Sequence, residues 1–159
     1  MASGAHHSLA MTADGKVYGW GDAESGKIGR MSSTRHRIEQ AMKIESVGAR
    51  DAVDIFCGNH TSFYKSKKDT VFAWGLNNHG QLGIGNRMNT CVPTKINELD
   101  NLKVNVIAGG EHHTVACTSD GKVFCWGRND EGQCGVGDLY GKWKQDQARI
   151  KQQEELAKA

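Results

Sequence analysis

The sequence predicts an all-β protein whose strands form the blades of a β-propeller, because one repeat unit occurs three times. Each copy contains a tryptophan followed by a glycine, at Trp20, Trp74 and Trp126. A histidine lies fourteen residues before each tryptophan, and glycines follow it by six and nine residues. The copies are spaced by 54 and then 52 residues, a period typical of four-stranded propeller blades.

The elements within a copy are short β runs separated by turn residues. In the third copy these runs span 91–96, 104–108, 114–117 and 123–126. We expect these four runs to form one blade. The Asp120-Gly121 pair before the last run predicts a tight two-residue hairpin, because this dipeptide tolerates positive φ angles. Asp14-Gly15 makes the same turn in the first copy, and Lys68-Asp69 replaces it in the second.

The domain organisation follows from the repeat. The copies span about 2–30, 41–86 and 91–138. We therefore predict one repeat domain over 1–138. The segment 139–159 is rich in Gln, Lys, Glu and Ala, so we expect a helical or disordered tail there. The insertion 31–37 is polar and basic, which predicts a surface loop.

Composition excludes several classes of protein. The 159 residues carry a formal net charge of +2, so the whole chain has no strong electrostatic preference for nucleic acid. No apolar run is long enough to span a membrane, and the first residues lack a signal-peptide pattern. The five cysteines include no Cys-x-x-Cys pair, so we expect reduced thiols with packing roles in the cytosol or nucleus.

The recurring tryptophans and glycines are predicted to build the scaffold. Blades pack face to face around an axis, so a large flat side chain at Trp20, Trp74 or Trp126 fills the space between neighbours. Positions close to the axis must be small, and Gly109 and Gly110 meet that need.

The histidines are the most prominent polar residues, but their spacing does not suit a metal. Adjacent residues on a strand point to opposite faces, so His6 and His7 cannot both ligate one ion. Equivalent histidines of successive copies lie too far apart in a propeller to share an ion. We expect His7 and His113 to hydrogen-bond their blade turns, and His6, His60 and His112 to repeat along one rim. We predict no catalytic group, metal, cofactor or small-molecule substrate.

Three segments resemble a known repeat. Gly-Gly-Glu-His-His-Thr, Thr-Ser-Asp-Gly-Lys-Val and Trp-Gly-Arg-Asn-Asp-Glu-Gly-Gln, all within 109–133, resemble the repeat of the regulator of chromosome condensation, as do residues 3–8 and 75–83. The resemblance covers about 2–138 and implies a seven-bladed propeller, of which this chain supplies about three blades. Three copies cannot close such a ring, so we expect the chain to be part of a longer protein or to assemble with other chains.

The resemblance also implies a function. That family's exchange factor binds the small GTPase Ran and speeds GDP release by preferring the nucleotide-free GTPase. Arg30 matches a Ran-contacting arginine, and the pair His112-His113 matches a segment with a functionally important histidine. His6 stands where the exchange factor has an acidic residue, on the same Ran-facing rim. These matches imply a nuclear, chromatin-bound protein that is also present in the cytoplasm.

Two further implications concern the insertion and the missing parts. Arg35 and Arg37 lie where the family has a loop that uses arginines against the acidic histone patch of the nucleosome, so histones are a second implied partner. The family's nucleotide-site wedge belongs to an earlier blade, so we expect the chain alone to be inactive in exchange.

Two alternatives remain open. A protein-interaction propeller of a ubiquitin ligase, or of a cytoskeletal or signalling regulator, would keep the blades without the Ran surface, and His6 favours it. A plant ultraviolet-B photoreceptor would use clustered tryptophans, but this chain has one per copy.

Overall fold

The computed structural model describes residues 1–31, 37–47 and 50–136, and this part of the chain consists of eleven β-strands and two short 3-10 turns. The strands are β1 (Ala2–Ser3), β2 (His7–Met11), β3 (Val17–Asp22), β4 (Arg37–Lys43), β5 (Ala52–Cys57), β6 (Thr61–Ser66), β7 (Val71–Gly75), β8 (Thr90–Lys95), β9 (Val104–Gly109), β10 (His113–Thr118) and β11 (Val123–Gly127). The 3-10 turns span Glu24–Gly26 and Asn97–Leu99. The predicted all-β class is confirmed, whereas the predicted tail over 139–159 lies outside the described residues.

The strands form three antiparallel sheets, each from strands that follow one another in the chain. The first sheet has the order β1-β2-β3-β4, the second β5-β6-β7-β8, and the third β9-β10-β11. We call them the first, second and third blades. Strand β5 contacts β2 of the first blade and β9 of the third, so successive blades meet face to face near their inner strands. Within the described residues, no helix is both long enough and apolar enough to cross a bilayer.

The prediction that the four runs of the third copy form one blade is wrong. Strand β8, the first of those runs, pairs with β7 of the second blade, with Phe72 opposite Lys95 and Gly75 opposite Thr90. Strand β4 pairs with β3 of the first blade in the same way. Each outer strand therefore precedes the next copy in sequence but completes the preceding blade, because it satisfies the backbone groups along that blade's outer edge.

The hairpin turns are also longer than predicted. Thr12 N donates to Lys16 O at 2.9 Å while Gly15 N donates to Thr12 O, which defines a three-residue loop instead of a two-residue one. In such loops the last residue takes the left-handed conformation. Gly15 has a φ of 82°, and Asp69 and Gly121 have φ values of 57° and 87° at the equivalent positions. The Asp-Gly pairs predicted the positions of these turns correctly, but each loop is one residue longer than predicted.

Trp74 and Trp126 pack between blades as predicted, in two different ways. Trp74 is fully buried in a cluster with Leu9 and Val17 of the first blade. Trp126 is partly buried and its Nε1 donates to the carbonyl oxygen of Gln81 in the second blade, at 2.8 Å. Trp20 is partly buried in the first blade.

Small residues on the inner strands let the blades approach one another. A Cβ atom on Gly109 would lie 2.4 Å from the Cα of Gly58 in the second blade, closer than any real contact. The predicted need for glycine near the axis is therefore confirmed at Gly109. Gly110 makes room within its own blade instead, since a Cβ there would lie 2.4 Å from the ring of His113.

The three-residue hairpins provide a matched test of blade packing. A Cβ on Gly121 would meet no atom within 4 Å, whereas a Cβ on Gly15 would lie 2.8 Å from the carbonyl oxygen of Ala52 in the next blade. Gly121→Ala should cost about 1 kcal/mol of unfolding free energy, the price of a left-handed alanine. Gly15→Ala should cost clearly more, because the blades must also separate. Urea unfolding of both variants measures the difference, and equal losses would contradict this account of the first blade junction.

Candidate functional site

One edge of the three blades carries all the loops that contain the repeated histidines. These loops precede β2, β6 and β10 and follow β3, β7 and β11, and we call this side the histidine edge. The backbone builds it in the same way each time. The carbonyl oxygen of His6 accepts a hydrogen bond from the backbone N–H of the last residue of β3. The carbonyl oxygens of His60 and His112 accept one from the first residue after β7 and after β11, and the three distances are 2.8–3.0 Å. The predicted rim of histidines is thus present on a single edge.

The rim histidines interact electrostatically across the blades. Partial burial lowers the pKa of His60, and the nearby charge of Lys27 lowers it further. His112 and His6 act in the same direction, while Glu111 opposes them. The ring of His79 also lies against that of His112, with centroids 4.8 Å apart. The edge is therefore one connected polar surface.

A buried lysine supports the centre of this edge. Lys27 is only 1% exposed, and its ammonium group pairs with the carboxylate of Asp22 and donates to Glu24 O at 3.2 Å. Burial is the largest influence on Asp22 and opposes its ionisation, but the hydrogen bonds from Lys27 and from the Glu24 backbone N–H, together with the charge of Lys27, outweigh it, so the pKa of Asp22 falls below its usual value. In the second blade the position of Lys27 is occupied by Gln81, a neutral residue whose amide bonds to its own loop.

Sequence reasoning missed this ion pair, although a signal was available. Only the first copy has a lysine at this position, and only the first copy has an acid five residues earlier. The second copy has Leu76 there and the third has Arg128. A buried ammonium needs a partner, so the two differences occur together.

We had predicted that His7 hydrogen-bonds its own blade turn, but its ring forms a hydrogen bond that bridges two blades instead. His7 Nε2 lies 2.9 Å from Ser62 Oγ of the second blade, and Ser62 Oγ donates to Lys27 O at 2.6 Å. Since the Ser62 proton is used in that bond, His7 Nε2 must be the donor. The ring fits because a Cβ on Gly4 would lie only 2.3 Å from it. Burial, followed by the charge of Lys27, lowers the pKa of His7 to about 4, so the ring is neutral near pH 7.

A histidine beside a serine also suggests a nucleophile and its base, but the geometry opposes this. Ser62 is fully buried, and its proton is directed at a carbonyl oxygen instead of a solvent-facing site. Across the part of the chain that the structure describes, no group of three or more His, Cys, Asp or Glu residues is arranged to hold a metal ion.

The predicted site residues occupy different parts of this surface. His6 and Arg37 line one open depression together with Gly21 and Asp22, so the structure brings these two predictions together. His112 lies on the edge beside Glu111, with 3.7 Å between His112 Nε2 and the carboxylate.

Two predicted residues lie elsewhere. His113 is partly buried, with its ring against Gly110 of its own blade turn. Arg30 donates from Nη2 to Lys43 O at 3.1 Å, at the end of β4 opposite to Arg37, and so lies away from His6. Arg35 lies outside the described residues.

Family models identify the repeats directly. Two models of the regulator of chromosome condensation (RCC1) repeat match the chain, one over 1–27, 52–81 and 104–133 and the other over 68–117 and 120–148. The matches of the first model cover more than half of the chain. The chain therefore belongs to the regulator of chromosome condensation repeat family, and its blades are propeller blades of that family.

The known relatives differ in what they do. The chain is 36% identical over 143 residues to protein pim1 of Schizosaccharomyces pombe, covering 87% of this chain and 26% of pim1. It is 38% identical over 135 residues to the human E3 ubiquitin-protein ligase HERC2, covering 85% of this chain and 3% of HERC2. It is 36% identical over 138 residues to the ultraviolet-B receptor UVR8 of Arabidopsis thaliana, covering 87% and 31%.

Among solved structures, Prp20p from Saccharomyces cerevisiae, studied for its binding to Gsp1p and histones, superposes with a TM-score of 0.78 at 28% identity. The match covers 86% of this chain and 32% of Prp20p. The chain thus spans about a third or less of each of these proteins, and the family alone does not distinguish an exchange factor from the other classes.

The bridge formed by His7 predicts a pH-dependent stability. Its pKa is about 4 in the folded chain and near 6.5 when unfolded, so the unfolded state binds the proton first. The part of the unfolding free energy that depends on His7 should be fully present above about pH 6.5. It should fall as the pH drops towards 4, by about 2 kcal/mol at pH 5.

His7→Thr tests this with a residue that the fold already accepts, because Thr61 occupies the equivalent position in the second blade. Urea unfolding at about pH 7.5 and pH 5 should show a smaller loss for the variant than for the original chain. The same loss in both proteins would refute the assignment of the acid sensitivity to His7.

Proposed function

We propose that the histidine edge is a docking face for Ran and that the chain contributes this face to a Ran nucleotide exchange factor of the nucleus. The observation that carries the proposal is the edge itself. Loops from three blades present His6, His60 and His112 in register, over a mixture of acidic and basic side chains. Family membership and the similarity to Prp20p, a yeast RCC1 protein, support the same conclusion.

The mechanism requires differential binding and no covalent chemistry. An exchange factor that binds nucleotide-free Ran more tightly than Ran·GDP must, by linkage, weaken the affinity of Ran for GDP by the same factor. A surface whose loops are fixed by backbone hydrogen bonds suits this task, since its geometry is set before the partner arrives. His112 and the depression lined by His6 and Arg37 are the parts of the edge open to such a partner.

The position of Arg37 constrains the second proposed partner. We propose that Arg35 and Arg37 contact nucleosomal histones, as the family's basic loop does, and Prp20p is itself studied for histone binding. Because Arg37 and His6 line one depression, a nucleosome bound at Arg37 and Ran bound at His6 would interfere with each other. Competition between the two partners for the full-length gene product is therefore expected.

An alternative function is a protein-interaction propeller within a ubiquitin ligase or a signalling regulator. Two observations favour it, the 38% identity to a segment of HERC2 and the histidine at position 6 in place of an acidic residue. Such a module would keep the blades and bind another protein. Capture of partners with the full-length gene product distinguishes the two, because this module would not retain nucleotide-free Ran.

The histidine edge can be tested by binding. His112→Ala in the full-length gene product should weaken the affinity for nucleotide-free Ran roughly tenfold, about 1.4 kcal/mol, if the edge is the docking face. Lys122→Ala, an exposed change at the β10–β11 hairpin on the opposite edge, is the control and should leave affinity unchanged. Calorimetry measures both, and equal effects of the two variants would disprove the placement.

Arg30 is tested by kinetics. Arg30→Ala in the full-length gene product should slow release of a fluorescent GDP analogue from Ran by roughly tenfold, through loss of a direct contact or of the bond that holds the β4 end in place. Arg50→Ala removes an exposed arginine that pairs with Asp14 in the first hairpin and, within the described residues, makes no bond to β4, and it serves as control. Unchanged exchange with Arg30→Ala would remove Arg30 from the proposed site.

A further inference from the structure

The third blade differs from the other two in one core contact, where it has a pair of thiols. Cys125 lies on β11, and Cys134 lies in the loop that follows it. The equivalent residues of the second blade are Ala73 and Leu82, and both are fully buried in the same apolar cluster. An aliphatic contact between strand and loop is thus replaced by two sulfur atoms.

The loop backbone brings the two positions together in every blade. Asn129 Oδ1 accepts a hydrogen bond from Cys134 N at 2.9 Å, and Asn77 Oδ1 accepts one from Leu82 N at 3.1 Å in the second blade. The glycine two residues before each loop position also has the same left-handed conformation in the two blades. The loop backbone therefore places its residue against the preceding strand in the same way in the second and third blades.

The approach of loop and strand is close. In the first blade the equivalent residues are Gly19 and Ile28, and a Cβ on Gly19 would lie 2.8 Å from Ile28 O. In the third blade Cys134 lies close enough to Cys125 to act on the Cys125 thiol. Two thiols brought near each other from fixed backbone positions are the arrangement from which a disulfide can form.

The thiol pair is also open to small reagents. Both cysteines are free and only partly buried, unlike the aliphatic pair of the second blade. Cys125 lines an apolar groove together with Phe124 and Trp126, on the side facing the second blade. An oxidant the size of a peroxide can therefore reach the sulfur atoms without unfolding the blade.

We propose that Cys125 and Cys134 form a reversible disulfide when the chain meets a hydroperoxide, so that the third blade carries an oxidation site. In the first step the Cys134 thiolate attacks a peroxide oxygen, the O–O bond breaks, and a sulfenic acid and a hydroxide form. Cys125 then attacks the sulfenic sulfur, the S–S bond forms, and a second hydroxide leaves. With the two thiol protons the products are one disulfide and two waters, and the two sulfurs lose two electrons to the peroxide.

The order of these steps follows from the surroundings of the two residues. Burial, together with the neighbouring Cys134, raises the pKa of the Cys125 thiol to about 12, so Cys125 is protonated near pH 7 and is the weaker first nucleophile. Cys134 lies in the exposed loop, with its Sγ 3.9 Å from Arg128 O. The bond would tie β11 to the loop after it, and this loop belongs to the histidine edge.

The chain itself supplies the matched variants for a test. Cys125→Ala and Cys134→Leu reproduce the pair that the second blade already packs, and Cys117→Ala removes an unrelated partly buried cysteine. Each purified chain is treated with hydrogen peroxide and then digested without reduction, and the peptides are identified by mass spectrometry. The original chain and Cys117→Ala should yield a linked Cys125–Cys134 peptide that dithiothreitol removes, and the other two variants should not.

Thermal unfolding provides the second readout. Because the bond closes a short loop in the unfolded chain, oxidation should raise the melting temperature of the original chain and of Cys117→Ala, and leave Cys125→Ala and Cys134→Leu unchanged. Linkage between any other pair, or a sulfinic acid on Cys134 with Cys125 still reduced, would overturn the proposal.

Discussion

The junction between blades depends on one carbonyl group, and much of the remaining structure follows from it. In the loop after β3 the carbonyl of Lys27 accepts a hydrogen bond from Ser62 of the next blade, and in the loop after β7 the carbonyl of Gln81 accepts one from Thr114. Each bond joins the edge loop of one blade to the second strand of the next. Such a bond requires the two blades to approach within about 3 Å of one another.

That approach explains why the residue types repeat where they do. Gly75 ends β7 because its φ is 117° and a Cβ there would lie 2.5 Å from His60 O of its own blade, and the same Cβ would lie 3.3 Å from Lys27 Cβ across the junction. The large rings close the junction on either side, with Trp74 in the apolar cluster of the first two blades and Trp126 bonded to Gln81 in the next. The repeat that dominates the sequence thus reflects how one blade packs on another, and it carries little information about partners.

The two junctions satisfy this requirement with different chemistry. At the first, a neutral His7 extends the hydrogen-bond chain through Ser62 to Lys27, whose ammonium group needs Asp22. At the second, Thr114 and Trp126 share one carbonyl, and neutral Gln81 needs no counterion. Charge is therefore concentrated at the first junction, directly beneath His6 and His60. This placement gives the histidine edge an electrostatic character that a regular repeat would not have.

The sequence by itself determined the all-β class, the positions of the turns, the packing of tryptophan between blades and the common edge of His6, His60 and His112. These features repeat at a fixed spacing, and local conformational preferences are strong at Gly and Asp-Gly, so a single chain is enough to detect them. Only the tertiary structure decided that β8 completes the second blade, that His7 crosses to Ser62, that Lys27 is buried against Asp22, and that Arg30 turns to β4. Each of these depends on which strand edge or side chain comes into reach after the blades pack, and spacing along the chain does not encode that distance.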